Sequence, residues 1–140
     1  FCEKPLTADS AEAERLVDAL GDRLFVMDKW RYQAGVLELA RIANSGEIGD
    51  VQSLTLRRVS KGNPHPDVNT VWTHMPHDLS IALEILGEIP QVTYALEEVV
   101  NDQLVGLRTT LGSDPWVAIE VSDGATNGER AASSAEVSFR

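Results

Sequence analysis

Leu79, Ala82, Leu83 and Leu86 recur at the i, i+3, i+4, i+7 spacing of one helix face, and Gly87 stands where such a helix stops. A helix of this kind must bury its stripe, so the rest of the chain has to be arranged around it. The segment before it, Val71-Trp72-Thr73-His74-Met75-Pro76-His77-Asp78, holds two imidazoles, a carboxylate and an indole. Proline is well tolerated in a first helical turn, which predicts a helix beginning near Pro76 with both histidines at its entrance, under the positive end of the dipole. Titratable groups clustered in this way point to a site. Singly they have plainer uses: Asp78 suits a first turn through the dipole alone, and Trp72 suits a core or a pocket wall.

At 43% hydrophobic and 24% charged residues the composition is that of a globular protein, and 140 residues suffice for one modest core or for one domain and part of another. No apolar run approaches the roughly 18 residues of a membrane helix, and no basic-then-apolar leader opens the chain. The net charge of -10 argues against a nucleic-acid partner. Arg57 and Arg58 with Lys61 form the one basic cluster, which reads as a solvated strand end. Cys2 is the single cysteine and cannot form an internal disulfide, in keeping with a reducing cytoplasm. A first residue that is Phe, and an alternating Glu136-Val137-Ser138-Phe139-Arg140 with no turn after it, read as the two ends of a fragment.

Taken in order, Phe1 to Pro5 resembles the end of a buried strand, with Pro5 holding Lys4 extended. Asp9 and Glu12 form a capping pair before an apolar stripe of Ala13, Leu16, Val17 and Leu20 that ends at Gly21. Leu24 to Met27 is a short apolar run of the kind buried in parallel sheets. Strand, helix and strand in that order suggest the tail of a βαβ unit. A second helix carries Val36, Leu39, Ala40 and Ala43 and stops at Gly46, and a strand runs from Val51 to about Arg58 with Leu54 and Leu56 alternating against Thr55 and Arg57. Residues 59 to 70 form a loop containing His65, long enough to act as a lid. After the central helix the texture turns to strands: one through Val92, Tyr94 and Leu96, then Leu104 to Leu111, Trp116 to Val121, and one more within 129 to 140. Turns are expected at Asn101-Asp102, Gly112 to Pro115, Ser122-Asp123-Gly124 and Asn127-Gly128. The predicted class is α+β: the end of a Rossmann-type α/β unit over residues 1–28, then an antiparallel sheet covered by helices over residues 29–140.

Glu3-Lys4-Pro5, Arg31-Tyr32 before a helix, Ser45-Gly46-Glu47-Ile48-Gly49-Asp50-Val51, and Pro76-His77-Asp78-Leu79-Ser80-Ile81 with Leu86-Gly87 follow one another in a telling order. In order and spacing they resemble the Gfo/Idh/MocA oxidoreductases, a family that includes glucose-fructose oxidoreductase and inositol dehydrogenase. The resemblance covers roughly residues 1 to 121. It implies an NAD(P)-dependent enzyme with an N-terminal Rossmann domain and a C-terminal α+β domain whose open sheet mediates homo-oligomerisation. The implied reaction is hydride transfer to or from a sugar, cyclitol or related polyol. By the same resemblance Lys4 and His77 are catalytic, Glu3, Lys4 and Pro5 lie by the cofactor, and Arg31, His74 and Asp78 line the substrate side.

Chemistry supports these roles. Alcohol oxidation needs a base within hydrogen-bond reach of the hydroxyl, and a lysine ammonium can stabilise the alkoxide that develops. Lys4 also falls at the carboxyl end of a parallel strand, where open α/β sheets bind ligands. Two departures stand out. Many members carry a carboxylate four residues before the active-site histidine, where this chain has Thr73, and no G-x-G-x-x-G phosphate-binding turn occurs anywhere in it. The chain alone is therefore expected neither to hold NAD(P) firmly nor to turn over substrate. Two other readings stay open: a metal site built from His74, His77 and Asp78, with or without His65, and a non-catalytic binding or oligomerisation module.

Overall fold

The computed structural model describes residues 1–65, 67–124 and 131–140. Near the amino terminus, β1 (Cys2–Glu3) and β2 (Val26–Met27) pair in parallel, with Cys2 opposite Val26 and Glu3 opposite Met27. Helix α1 (Ser10–Leu20) links them. The Asp9 carboxylate accepts the Glu12 backbone N–H at 2.9 Å, the cap expected from the sequence. Because the strands run in register, Lys4 and Asp28 leave their carboxyl ends side by side.

A 3-10 turn (Lys29–Tyr32) leads into α2 (Ala34–Ser45), which Gly46 ends in a left-handed conformation. Then come β3 (Val51–Ser60), α3 (Thr70–Leu86), β4 (Val92–Val100), β5 (Gln103–Leu111), β6 (Trp116–Asp123) and β7 (Ala132–Phe139). The last five strands form one sheet in the order β4-β5-β6-β3-β7. Helices on a mixed sheet give the α+β class. In one respect the sheet departs from expectation: β3 and β6 are parallel, while every other neighbouring pair is antiparallel. A parallel pair needs a crossover, and α3 followed by the β4-β5 hairpin supplies one.

Period-two alternation decides which side chains of the sheet turn inward. Leu54 and Leu56 of β3, Leu111 of β5, and Val117, Ile119 and Val121 of β6 are buried against Met75, Ile81, Ala82 and Ile85 of α3 and Val36 and Ala40 of α2. Each such side chain contributes about 1.5–3 kcal/mol of transfer free energy. On the opposite, open face, the Glu120 carboxylate accepts from Arg57 at 3.1 Å and from Arg108 at 3.2 Å, an ion ladder across three strands.

Several local expectations are corrected. Helix α3 does not begin at Pro76. The Asn69 side chain accepts the Trp72 N–H at 3.0 Å, so the helix starts at Thr70 and Pro76 lies inside it. Its buried face is set by Met75, Asp78, Ile81, Ala82 and Ile85, while Leu79, Leu83 and Leu86 are half-buried at its side. The loop before α3 is shorter than expected, because β3 extends to Ser60, and β6 runs on through Asp123 in place of the turn at Ser122-Asp123-Gly124. Arg58 is no solvated strand end; it is 6% exposed. The expected turn at Asn127-Gly128 lies outside the described residues.

Candidate active site

Pro76 has no N–H to give the Trp72 carbonyl one turn back, so α3 carries a loosened stretch of backbone in the segment that bears the histidines. Into that stretch reaches Lys4, whose Nζ donates to the Thr73 carbonyl. Thr73 stands one turn before His77 on the same helix. Residues 4 and 77 are thus brought to one place by the end of β1 and the middle of α3.

His77 is 7% exposed, and its Nδ1 makes no hydrogen bond with any described residue. Nε2 of His74 is likewise buried and unpartnered. The Trp30 ring meets His77 edge-on at 6.1 Å between centroids and carries the Arg58 guanidinium 4.5 Å above its own centre. Burial, with the charges of Lys4, Arg58 and Lys29 adding to it, pushes His77 down to about 3. Burial and Arg58, joined by Lys4, push His74 down to about 4. Both imidazoles are neutral at physiological pH. The Lys4 ammonium is lowered from its ordinary value, first by burial and then by Lys29. Burial raises the Asp28 carboxyl, with Arg31 and Lys4 opposing the shift.

Asp78 is placed differently from its expected role on the substrate side. It is 1% exposed, and its two oxygens accept from Arg58 at 2.9 and 3.1 Å. A carboxylate occupied in this way braces α3 against β3. Burial pulls its carboxyl upward and the guanidinium partly offsets that pull. Arg31 is also engaged, donating to Glu84 through Nε at 2.9 Å and Nη2 at 2.8 Å, two helical turns beyond His77. Its charge also acts on Asp28, as that of Lys4 does. Glu3 is exposed and acts on Lys4 through its charge, while Pro5 is half-buried. Thr73, four residues before His77, donates through Oγ1 to Asn63 Oδ1 at 3.0 Å and so ties the loop after β3 to α3.

Among the described residues no three His, Cys, Asp or Glu side chains are grouped to hold a metal ion, and Asp78 faces Arg58 in place of the histidines. Arg58, Trp30 and Asp28 are the participants that the sequence reading left out. A signal for Arg58 was present: it follows Leu54 and Leu56 at intervals of two, which places it on the inward face of β3. Nothing local marks Asp28, whose place comes from the parallel register of β1 and β2.

No protein-family model matches the chain. It is 32% identical to an inositol 2-dehydrogenase of Streptomyces avermitilis, over 89% of this chain and 40% of the relative. It is 28% identical to the inositol 2-dehydrogenase of Salmonella typhimurium, over 89% of this chain and 38% of the relative. The chain therefore spans about two fifths of the length of these curated relatives. In fold it is similar to a solved structure from Sinorhizobium meliloti designated a myo-inositol dehydrogenase, with a TM-score of 0.83 at 22% identity over 99% of this chain and 47% of the other. It is also similar to an oxidoreductase from Agrobacterium radiobacter solved with NAD+, L-tartaric acid and magnesium, with a TM-score of 0.81 at 19% identity over 99% of this chain and 45% of the other. No helix among the described residues is long and apolar enough to cross a membrane. The ordered motifs, the inositol dehydrogenase relatives and the shared fold agree, and the chain is similar to the Gfo/Idh/MocA oxidoreductases.

Proposed function

We propose that this chain is part of a cytoplasmic NAD(P)-dependent oxidoreductase that transfers hydride to or from a sugar, cyclitol or related polyol, with residues 1–28 belonging to a Rossmann domain and 29–140 to the substrate domain. The observation that carries the reading is the reach of Lys4 to the Thr73 carbonyl, one turn from His77, between residues far apart in sequence.

An ammonium at the carboxyl end of a parallel strand beside a neutral, unpartnered imidazole fits the nicotinamide end of such a cofactor. No turn in the sequence fits its pyrophosphate. When bound, the nicotinamide accepts or returns the hydride. The protein's part is to hold the hydroxyl and move its proton. In this reading His77, whose Nδ1 makes no hydrogen bond with the described residues, accepts that proton, and the Lys4 ammonium, held at the Thr73 carbonyl, stabilises the negative charge that builds on the oxygen. Trp30 packs edge-on against the His77 ring, and the Arg58–Asp78 pair ties α3 to β3.

The test uses the full-length gene product, with NAD(H) and NADP(H) titrations and turnover on a polyol panel. His77→Ala is expected to lower kcat by about 10²–10⁴, with Lys4→Ala also defective and the melting temperature of both retained. Unchanged turnover in both variants overturns the reading. A non-catalytic role for the sheet is compatible with it: Val92, Tyr94 and Leu96 are exposed along the edge strand β4, a surface suited to a second copy of the chain.

A further inference from the structure

The Trp30 indole has two neighbours in the site. The Arg58 guanidinium lies 4.5 Å above its ring centre, and the His77 imidazole meets it edge-on, 6.1 Å between centroids with the two planes 60° apart. Both neighbours are tied into one frame. Arg58 donates to the Asp78 carboxylate at 2.9 and 3.1 Å and to Ser133 Oγ of β7 at 3.3 Å, and Asp78 directly follows His77 on α3. The backbone that carries the indole is fastened to the same helix, because the next residue, Arg31, donates to the Glu84 carboxylate through Nε at 2.9 Å and Nη2 at 2.8 Å. His77 itself lacks a common restraint of imidazoles in sites, a hydrogen bond at one ring nitrogen that decides what the other does. Its Nδ1 is buried and makes no hydrogen bond with the described residues. The second side-chain torsion of a histidine is soft, so packing has to choose the plane of the ring, and the aromatic ring packed on it is Trp30.

We propose that Trp30 is a positioning residue for His77: gripped by the Arg58 guanidinium over its face, the indole holds the imidazole in the plane from which Nδ1 takes the hydroxyl proton. The catalytic half of this rests on the oxidoreductase reading, whereas the hold of the indole on the ring does not. Edge-to-face packing is directional, so the contact restrains the tilt of the imidazole as well as filling space. A guanidinium over the indole face, itself held by Asp78 and Ser133, resists the sliding of the indole that would release that tilt.

The test is made on the full-length gene product with Trp30→Leu, which keeps an apolar side chain but no ring, and Trp30→Phe, which keeps a ring edge, each well below its melting temperature. Two quantities are read: kcat and KM with the polyol that the unaltered enzyme turns over fastest, and the mobility of the His77 ring by NMR relaxation of histidine ring carbons, its signal assigned by its loss in His77→Ala. Trp30→Leu is expected to lower kcat about 10–100-fold and to change KM by less than about twofold. It is also expected to raise the mobility of the His77 ring and to have no further effect on kcat in the His77→Ala background. Trp30→Phe is expected to restore most of the rate and the rigid ring. Unchanged kcat in Trp30→Leu overturns the proposal, as do an unchanged His77 ring, an equal loss in Trp30→Phe, or an equal loss when His77 is already absent. If the unaltered enzyme turns over no polyol, the oxidoreductase reading falls, and the ring relaxation alone then sustains or overturns the hold of Trp30 on His77.

Discussion

In α1, Asp9 caps the Glu12 N–H, and Ala13, Leu16, Val17 and Leu20 return at helical intervals; in α3, Asn69 caps the Trp72 N–H above a stripe just as regular. Their surroundings differ completely. No residue of α1 is buried, and Leu16 and Val17 remain 37% and 52% exposed. In α3, Ile81, Ala82 and Ile85 lie at 4% exposure or less, and a charged side chain, Asp78, is buried beside them. Caps and periodicity make a helix in both places. Within these 140 residues α1 has two strands of two residues each beside it where α3 has a five-stranded sheet, and the Rossmann domain proposed above would supply the surface that α1 lacks here.

The largest effect is expected at the charged contact of the buried helix. Asp78→Ala leaves the Arg58 guanidinium buried without its anion, a loss of about 3–5 kcal/mol in urea unfolding. Adding Arg58→Met should restore much of it, because the unpaired charge is then gone. Recovery by the double variant would show that α3 depends on charge cancellation at this point, and its absence would shift the weight to packing.

The apolar side of the comparison is tested by Ile85→Ala and Leu16→Ala, which remove similar side chains from the two helices. In the 140-residue chain the first should cost about 2–5 kcal/mol and the second about 0.5 kcal/mol or less, by the same unfolding measurement. Equal costs would break the comparison, since they would mean that the stripe of α1 is covered in solution.

A smaller effect is expected with pH. His77 and His74 fall to about 3 and about 4 in the folded protein from 6.5. Below that ordinary value the unfolded chain takes up protons that the folded chain declines, so stability is full above about 6.5 and decreases as the pH falls toward 3. His77→Gln should flatten this decline between pH 6.5 and 3, seen as a smaller spread of melting temperatures. A profile identical to that of the unaltered protein would mean that the imidazole is solvated, and that α3 is less closed than α1 is open.

Much of the local structure was legible in the residues. The Asp9 cap, the stop at Gly46, the β3 alternation and the β5 and β6 strands all follow from rules that act within a few residues. The start of α3 was not legible, because a proline in a first turn and one inside a helix look alike locally, and Asn69 as a cap looks like one more loop residue. Arg58 was half legible. Its charge suggested solvent, but its spacing from Leu54 and Leu56 put it inside, and the spacing prevailed because Asp78 and Trp30 were there to receive it. The nearness of Lys4 to His77 was expected from the family resemblance and from no local rule.

By itself the sequence determined the helices and strands, their caps and stops, and the alternation that sorts inward from outward on the sheet, since these depend on backbone sterics and side-chain period over short spans. Tertiary structure decided the rest. It set β3 parallel to β6, made Asp78 the partner of Arg58, and brought Lys4 to the Thr73 carbonyl, one turn from a neutral His77. The physical reason is range: hydrogen bonds in a turn are chosen by near neighbours, but burial and the cancellation of charge depend on what the rest of the chain brings to the same place.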